Sequence, residues 1–415
     1  MTGEILVGIA AAAAAAWALL LLLPWQPHRT RERLESEGVT AGLADVAVLI
    51  PARNEARQIG RVLRALARQG PGLEVLVVDD ESTDGTAALC RALAAELGTS
   101  SADAPPELAT ELGTSSADAA SVFPLALRVL EGAPLPSGWA GKLWALEQGF
   151  GRVDRRYTLL LDADIELAPG FVPALRAQAA RTGASLVSVM ATLSCRHAWE
   201  RLLVPAFIFF FKLLYPFALV ASGRRAGAAG GCMLVETSAL RAAGGFAALR
   251  GALIDDCTLA RRLERRGARL YLGMSLSARS LREYARLDEF WVMVARTAFT
   301  QLRYSSVLLV ATSAVMLVAF AAPFAALAAG LAGLAQVAAP AGSTAPALAA
   351  VGAAAVLFMS AAYLPVVRFY RLPWYWAATL PAAAALFLAM TWSSALNYWH
   401  GTRAKWKERS YEAMD

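Results

Sequence analysis

Apolar residues in this chain are segregated rather than mixed, and the segregation limits what it can fold into. Ile5 to Leu23 is an uninterrupted apolar run of about 19 residues, long enough for a helix to cross a bilayer. Three further runs, over about 305–335, 346–367 and 374–396, fill the last quarter, and each is also long enough to span. Between them lies a stretch of ordinary polar content, sufficient for one α/β domain. The layout expected is a membrane anchor over 1–25, a globular domain over 45–304, a transmembrane region over 305–400 and a basic tail over 401–415. The first run lacks a basic leader, carries Glu4 and ends Leu-Pro-Trp with no small-residue cleavage site, which favours an uncleaved anchor over a signal peptide. Arg29, Arg31 and Arg33 follow it and place the downstream side in the cytoplasm. Pro323 predicts a kink or tilt in the first C-terminal run. The number of spans stays open. Four would put the basic residues Arg403, Lys405, Lys407 and Arg409 opposite the globular domain, unless one run, such as that holding Trp374-Tyr-Trp376, lies in the interface.

Composition narrows the class further. At 57% hydrophobic residues the chain is too apolar for an ordinary soluble protein. Its net charge of +6 comes mostly from arginine, which in a membrane protein fits cytoplasmic-face and anionic-lipid contacts, and no nucleic-acid motif is present. Cys90, Cys195, Cys232 and Cys257 are widely separated with no C-x-x-C, so neither a zinc site nor a disulfide framework is indicated, and a reducing compartment is expected.

Within the polar region, strands are read at Val46–Ile50, Leu73–Val78, Leu127–Leu130, Thr158–Leu161, Leu186–Leu193 and Gly230–Val235. Helices over Ile59–Gln69 and Thr86–Leu97 connect the first of them. Strand–helix alternation with short connections predicts a parallel sheet with crossover helices, whose ligands bind beyond the carboxyl ends of the strands. Acids collect at those ends: Glu55 after Pro51-Ala-Arg-Asn, Asp80 within Asp79-Asp80-Glu-Ser-Thr-Asp84-Gly-Thr, and the pair Asp162 and Asp164. Alternation along an extended strand would point Asp162 and Asp164 the same way, making a site for a hard divalent cation such as Mg²⁺. Alone, the pair is better read as a turn cap at Asp164 with Asp162 a solvated strand end.

Gly141-Lys142 before a helix can set a cation and free N–H groups against a phosphate. Asp255-Asp256 starts another helix, where acids also serve as simple caps. Residues 96–120 hold a tandem copy, Glu96–Ala104 repeated as Glu111–Ala119, expected to be a disordered surface insertion. Residues 201–220 are strongly apolar. A single span there would split the acids between two membrane faces, so an interfacial or re-entrant segment is expected, with Lys212 and Tyr215 snorkelling to headgroups. A buried core helix is the alternative. Phe290–Tyr304 reads as one amphipathic helix.

The order Pro51-x-x-Asn54-Glu55, Asp79-Asp80-x-Ser82-Thr83-Asp84-Gly85-Thr86, Gly141-Lys142, Asp162-x-Asp164, Gly244-Gly245-Phe246, Asp255-Asp256 and Arg303-Tyr304 resembles family 2 glycosyltransferases of the GT-A fold over about 45–304. Gly138–Ala145 and Met293–Ser305 look like the hopene-associated members of bacterial hopanoid loci. The resemblance implies a Rossmann-like, mostly parallel α/β domain with one N-terminal and about three C-terminal transmembrane helices. It implies a multi-pass protein of the bacterial inner membrane, catalytic domain in the cytoplasm, moving a sugar with inversion from a nucleotide-diphosphate donor, a UDP-sugar by expectation, to a lipid acceptor such as a hopanoid.

Roles follow from the same resemblance. Pro51, Glu55, Asp80, Lys142, Asp162 and Asp255 would bind the nucleotide sugar. Asp164, with Asp162, would hold a divalent metal, Mg²⁺ or Mn²⁺. Asp256 would be the general base, and Arg303 would help Lys142 neutralise the leaving diphosphate. Asp255 stands where the family has Glu. Thr300-Gln-Leu-Arg303-Tyr304 lacks the Gln and Trp of the family's Q-x-x-R-W motif, which argues against processive synthesis. A processive polysaccharide synthase and a non-catalytic scaffold are the competing readings. A nucleotidyltransferase would need a Gly-rich, Arg-containing loop after the first strand, and Pro51–Glu55 is not one.

Overall fold

A computed structural model describes residues 2–98, 122–336 and 343–401, with the short pairs 405–406 and 409–410. Most of the duplicated insertion, from residue 99 on, and most of the basic tail lie outside the described residues. The chain divides into two units. One takes 1–31, 195–218 and 284–402; the other takes 32–194, 219–283 and 403–415.

The second unit is built on one eight-stranded sheet of order β3-β2-β1-β4-β7-β6-β8-β5. Its strands are β1 (Val46–Ala52), β2 (Glu74–Asp79), β3 (Ala126–Glu131), β4 (Tyr157–Leu161), β5 (Ile165–Leu167), β6 (Leu186–Thr192), β7 (Cys232–Glu236) and β8 (Leu270–Ser280). The half β3-β2-β1-β4 is wholly parallel, in the register Asp79↔Glu131, Ala52↔Asp79 and Leu49↔Leu160. β6 and β8 are also parallel, whereas β7 runs antiparallel to β4 and β6, and β5 to β8. The mostly parallel α/β domain is thus present.

β1 and β4 are buried along their whole length, as continuous apolar runs covered on both faces must be. β1 continues through Pro51 and Ala52, beyond the expected end at Ile50. β4 pairs with it only as far as Leu49, so the ladder on that side has stopped before proline, which has no N–H to give. β5 and β8 are strands that the hydrophobic pattern did not mark.

Helices α2 (Ile59–Leu66), α3 (Thr86–Leu97), α4 (Gly141–Phe150), α5 (Phe171–Thr182), α8 (Thr237–Ala242) and α9 (Asp255–Glu264) complete the unit. α4 packs closely on the parallel strands because Gly149 faces them. A Cβ there would meet Leu49 Cδ1 at 2.3 Å and Val78 Cγ2 at 2.7 Å.

The first unit holds α1 (Thr2–Leu22), α6 (Ala198–Leu214), α10 (Leu287–Ala295), α11 (Ala298–Gln301), α12 (Ser306–Met316), α13 (Ala322–Leu334), α14 (Ala345–Phe369) and α15 (Leu380–Trp399); α7 (Phe217–Ala221) follows α6 at the boundary. Among the described residues, five helical stretches are long and apolar enough to cross a membrane: 3–22, 198–221, 306–334, 345–369 and 374–399. A π-helical turn over Leu317–Ala321 precedes Pro323. Proline at 323 cannot donate to the carbonyl of Ala319. The indole N–H of Trp17 donates to it instead, at 2.9 Å.

Two expectations are corrected here. Lys212 and Tyr215 do not snorkel. Lys212 is 1% exposed, with Nζ 3.8 Å from the centroid of the Phe217 ring, and the Tyr215 hydroxyl donates to Gln301 at 2.9 Å. The segment is also bracketed by β6 and β7, which pair at Leu186↔Val235, so a single crossing over 198–221 is excluded. Nor is Phe290–Tyr304 one helix. The Phe299 amide donates to Ser394 Oγ of α15 at 3.1 Å, and Arg303 and Tyr304 take left-handed backbone (φ 53° and 55°). Tyr304 then stacks on Tyr398 with centroids 4.5 Å apart.

Candidate active site

The carboxyl ends of β1, β2 and β4 lie side by side, and the loops leaving them hold the sequence-selected acids. Two loops are tied together by residues that sequence reasoning had quoted without a role. The Asp84 carboxylate accepts from Ala56 N–H at 3.0 Å and from Thr86 N–H and hydroxyl at 3.0 and 2.5 Å. Burial works to raise its pKa, but the Thr86 hydroxyl and the two amides prevail and hold it below the usual carboxylate range. Asn54, at φ 53°, donates its N–H to Ser82 Oγ and accepts from Thr83 N–H through its side chain at 2.8 Å. Polar side chains spaced through both loop motifs were the available signal.

Glu55 is half-buried at the lead-in to α2, and its N–H donates to Thr86 Oγ1 at 2.9 Å. Asp80 is fully buried, with Arg53 Nη1 3.7 Å from its Oδ2 and donating to its carbonyl at 2.5 Å. Arg53 was not singled out in the sequence.

A second cluster centres on Lys142, in the first turn of α4. Its Nζ lies 2.7 Å from Asp162 Oδ1 and 3.6 Å from Asp255 Oδ2. Burial would lower the lysine pKa, but Asp162 and Asp255 outweigh it and hold the ammonium charged. Asp162 is pulled both ways: burial raises its pKa, Lys142 lowers it, and the nearby Asp164 carboxylate raises it again, for a net upward shift. Asp162 and Asp164 leave β4 by a different geometry from the one expected. They sit on a tight turn, closed by Ile165 N–H donating to the Asp162 carbonyl at 3.0 Å, rather than on extended strand. Ala163 is buried between them. Ser280 Oγ donates to Asp164 Oδ2 at 2.9 Å and orients it.

Asp256 packs against Gly230, where a Cβ would meet its Oδ2 at 3.2 Å. Its Oδ1 accepts from Cys257 N–H at 2.6 Å. Burial, then the adjacent Asp255, pushes its pKa up to about 7, against the pull of the Cys257 amide and Lys142. Pro51, Lys142, Asp162, Gly230 and Asp255 line one narrow cleft with Phe246 and Leu249. Glu147 of α4 fixes the Gly244-Gly245-Phe246 turn there, accepting from the N–H groups of Phe246 and Ala247, each at 3.0 Å. That role also escaped the sequence reading. Arg303 belongs to the other unit, between α11 and α12.

The donor set at the turn fits a hard divalent cation. Asp162 and Asp164 offer only carboxylate oxygens, and among the described residues no group of three His, Cys, Asp or Glu forms an all-protein cage. Two carboxylates, with substrate phosphates filling other positions, are a common Mg²⁺ arrangement. Chemically, the cluster can hold a diphosphate by Lys142 and the α4 N-terminus while placing a carboxylate of raised proton affinity beside it.

Comparison with known proteins agrees with this chemistry. The profile described as Glycosyl transferase family 21 matches residues 122–414, and that of Glycosyl transferase family 2 matches residues 47–101. Two curated relatives, both named 4,4'-diaponeurosporenoate glycosyltransferase, match shorter stretches. The one from Staphylococcus haemolyticus (strain JCSC1435) is 38% identical over 52 residues, 12% of this chain and 14% of its own length. The one from Staphylococcus aureus (strain bovine RF122 / ET3-1) is 34% identical over 65 residues, 16% of this chain and 17% of its own length. The matched stretches thus cover less than a fifth of these relatives. Among solved structures, the mannosyltransferase PcManGT from Pyrobaculum calidifontis, in complex with GDP-Man and Mn²⁺, aligns over 94% of this chain and 99% of its own, with TM-score 0.51 and 20% identity. That likeness shows the shared fold.

Proposed function

The chain belongs to glycosyl transferase family 21, and we propose that it moves one sugar, with inversion, from a nucleotide-diphosphate donor to an apolar lipid acceptor in the membrane. The observation that carries this reading is the arrangement of Lys142 between Asp162 and Asp255, with Asp256 at the next position. An acceptor hydroxyl is a poor nucleophile. Asp256, with its proton affinity raised toward neutrality, takes the hydroxyl proton as the oxygen attacks the anomeric carbon. Asp255 and Asp162 hold Lys142 in place, and Lys142 with the N-terminal amides of α4 neutralises the departing diphosphate. On the family pattern Arg303 shares that load. Pro51, Glu55 and Asp80, at the ends of β1 and β2, form the nucleotide side.

Asp164 and Asp162 would hold the divalent cation, which when bound supplies charge neutralisation for the diphosphate. The Mn²⁺ and GDP-Man held by the structural relative support this assignment, as do the names of the curated relatives for an apolar acceptor. A hopanoid acceptor rests on the resemblance of Gly138–Ala145 and Met293–Ser305. Within the first of these, Trp144 Nε1 donates to the Ala133 carbonyl at 2.9 Å and so pins the loop that leads into α4. The α6 segment is taken to enter and leave the membrane on one face, with the catalytic unit cytoplasmic. Single transfer is favoured over processive synthesis because Thr300 and Tyr304 stand where the acceptor-gripping motif has glutamine and tryptophan.

Asp256→Asn tests the base. Transfer should fall by about 100-fold or more, the usual worth of general-base catalysis. Donor binding measured by calorimetry should stay near that of the unaltered protein. Equal loss of binding would remove Asp256 from that role.

A further inference from the structure

The catalytic unit carries a second concave site that the transfer chemistry does not use. Helix α2 turns Ile59, Val62, Leu63 and Leu66 into the core. Its outer side presents Arg61 and Arg64, and Arg68 follows one turn later, so the three arginines stand three and four residues apart along one side. Facing them are Glu166 and Leu167 of β5, Pro169, and Leu276, Ser277 and Arg279 of β8, around a groove of about 810 Å³. Four arginines thus share one lining acid. Arg61 Nη2 is 3.1 Å from both oxygens of Glu166, and Arg279 Nη2 is 2.7 Å from Oε2 of the same carboxylate. Arg64 is offset in part by Glu96 at 3.4 Å. Behind the wall, Glu35 accepts from the Leu276 and Ser277 amides and the Ser277 hydroxyl, so its charge is already engaged.

Arg68 supplies the independent observation. Its Nη2 is buried and has no hydrogen-bond partner among the described residues. A buried guanidinium N–H without an acceptor is costly, and such a group calls for a missing partner. Planar guanidinium groups converging on one groove suit tetrahedral oxyanions bound through several charge-assisted hydrogen bonds.

We propose that this groove binds a phosphate group, with Arg68 as its inner contact and Arg64 as its outer one. The phosphate can come from a soluble phosphorylated molecule or from the headgroup of an anionic phospholipid.

The test uses the full chain in phosphatidylcholine nanodiscs, with inorganic phosphate as the soluble probe and phosphatidic acid in the disc as the lipid probe. Binding is read as a shift in thermal unfolding and, for the lipid, by native mass spectrometry. Lys142→Gln serves as a control that disables the donor cleft. For whichever source is right, apparent affinity should drop about tenfold in Arg68→Gln, the worth of one charge-assisted hydrogen bond. It should drop similarly in Arg64→Gln, at a half-buried position on the outer side of α2, and should persist in Lys142→Gln. Arginine-dependent binding of phosphate assigns a soluble ligand. Arginine-dependent binding of phosphatidic acid alone assigns a lipid headgroup. Binding that survives both arginine changes, that is lost in Lys142→Gln, or that is absent for both probes overturns the proposal.

Discussion

Asp256 carries the most chemistry at the scale of single residues. Its pKa is raised to about 7, by burial first and by Asp255 second. A general base must be ionised, so kcat/KM should rise with one-proton slope as pH increases through about 7 and then level off, which initial-rate measurements across pH will read. The same shift has the opposite sign for stability. The folded chain holds this proton more tightly than the unfolded chain, so the contribution of Asp256 to stability falls as pH rises from the ordinary carboxylate range to about 7. Asp164→Asn bears on the metal. It should raise the divalent-ion concentration needed for half-maximal activity about tenfold or more, with chelation stopping turnover of the unaltered protein. Full activity after exhaustive chelation would remove the metal role from Asp162 and Asp164.

Among the elements, α4 matters most because it carries Lys142 at one end and rests on β1 and β2 at the other. Gly149→Ala forces a methyl against Leu49 and Val78, and should cost about 1–3 kcal/mol in denaturant unfolding as overpacking does, with activity falling alongside. Trp17→Phe keeps the ring but removes the donor to the Ala319 carbonyl freed by Pro323. It should lower stability by about 1 kcal/mol in detergent, and an unchanged unfolding midpoint would show that the carbonyl finds another partner.

The parallel half of the sheet was legible because β1, β2 and β4 are continuous apolar runs that each end in acid-bearing loops. β8 was not, since Leu270–Ser280 mixes serine, glycine and arginine with its apolar residues, and its partner β5 is only three residues long. At the site, the acids could be chosen from their strand ends. The ion pairs of Lys142 with Asp162 and Asp255 could not, because they join residues far apart in the chain that only the folded sheet and its helices bring together. The roles of Asp84 and Glu147 were not legible because both bind backbone amides, a task that leaves no spacing pattern. Lys212 misled for a related reason: a lysine in an apolar helix reads as snorkelling until the aromatic ring that covers it is seen.

For the molecule as a whole, family membership, the GT-A fold and several apolar helices point to a glycosyltransferase that works at a membrane. The central claim is transfer of a single sugar to a lipid. The most direct test is nucleotide diphosphate release by the protein in nanodiscs, with a panel of nucleotide sugars and with or without a hopanoid-containing lipid extract, the lipids then being analysed by mass spectrometry. Release that depends on the extract, with one new glycolipid one sugar heavier and with neither seen for Asp256→Asn, is the predicted result. A polymeric product, or release at the same rate without any lipid acceptor, would contradict it.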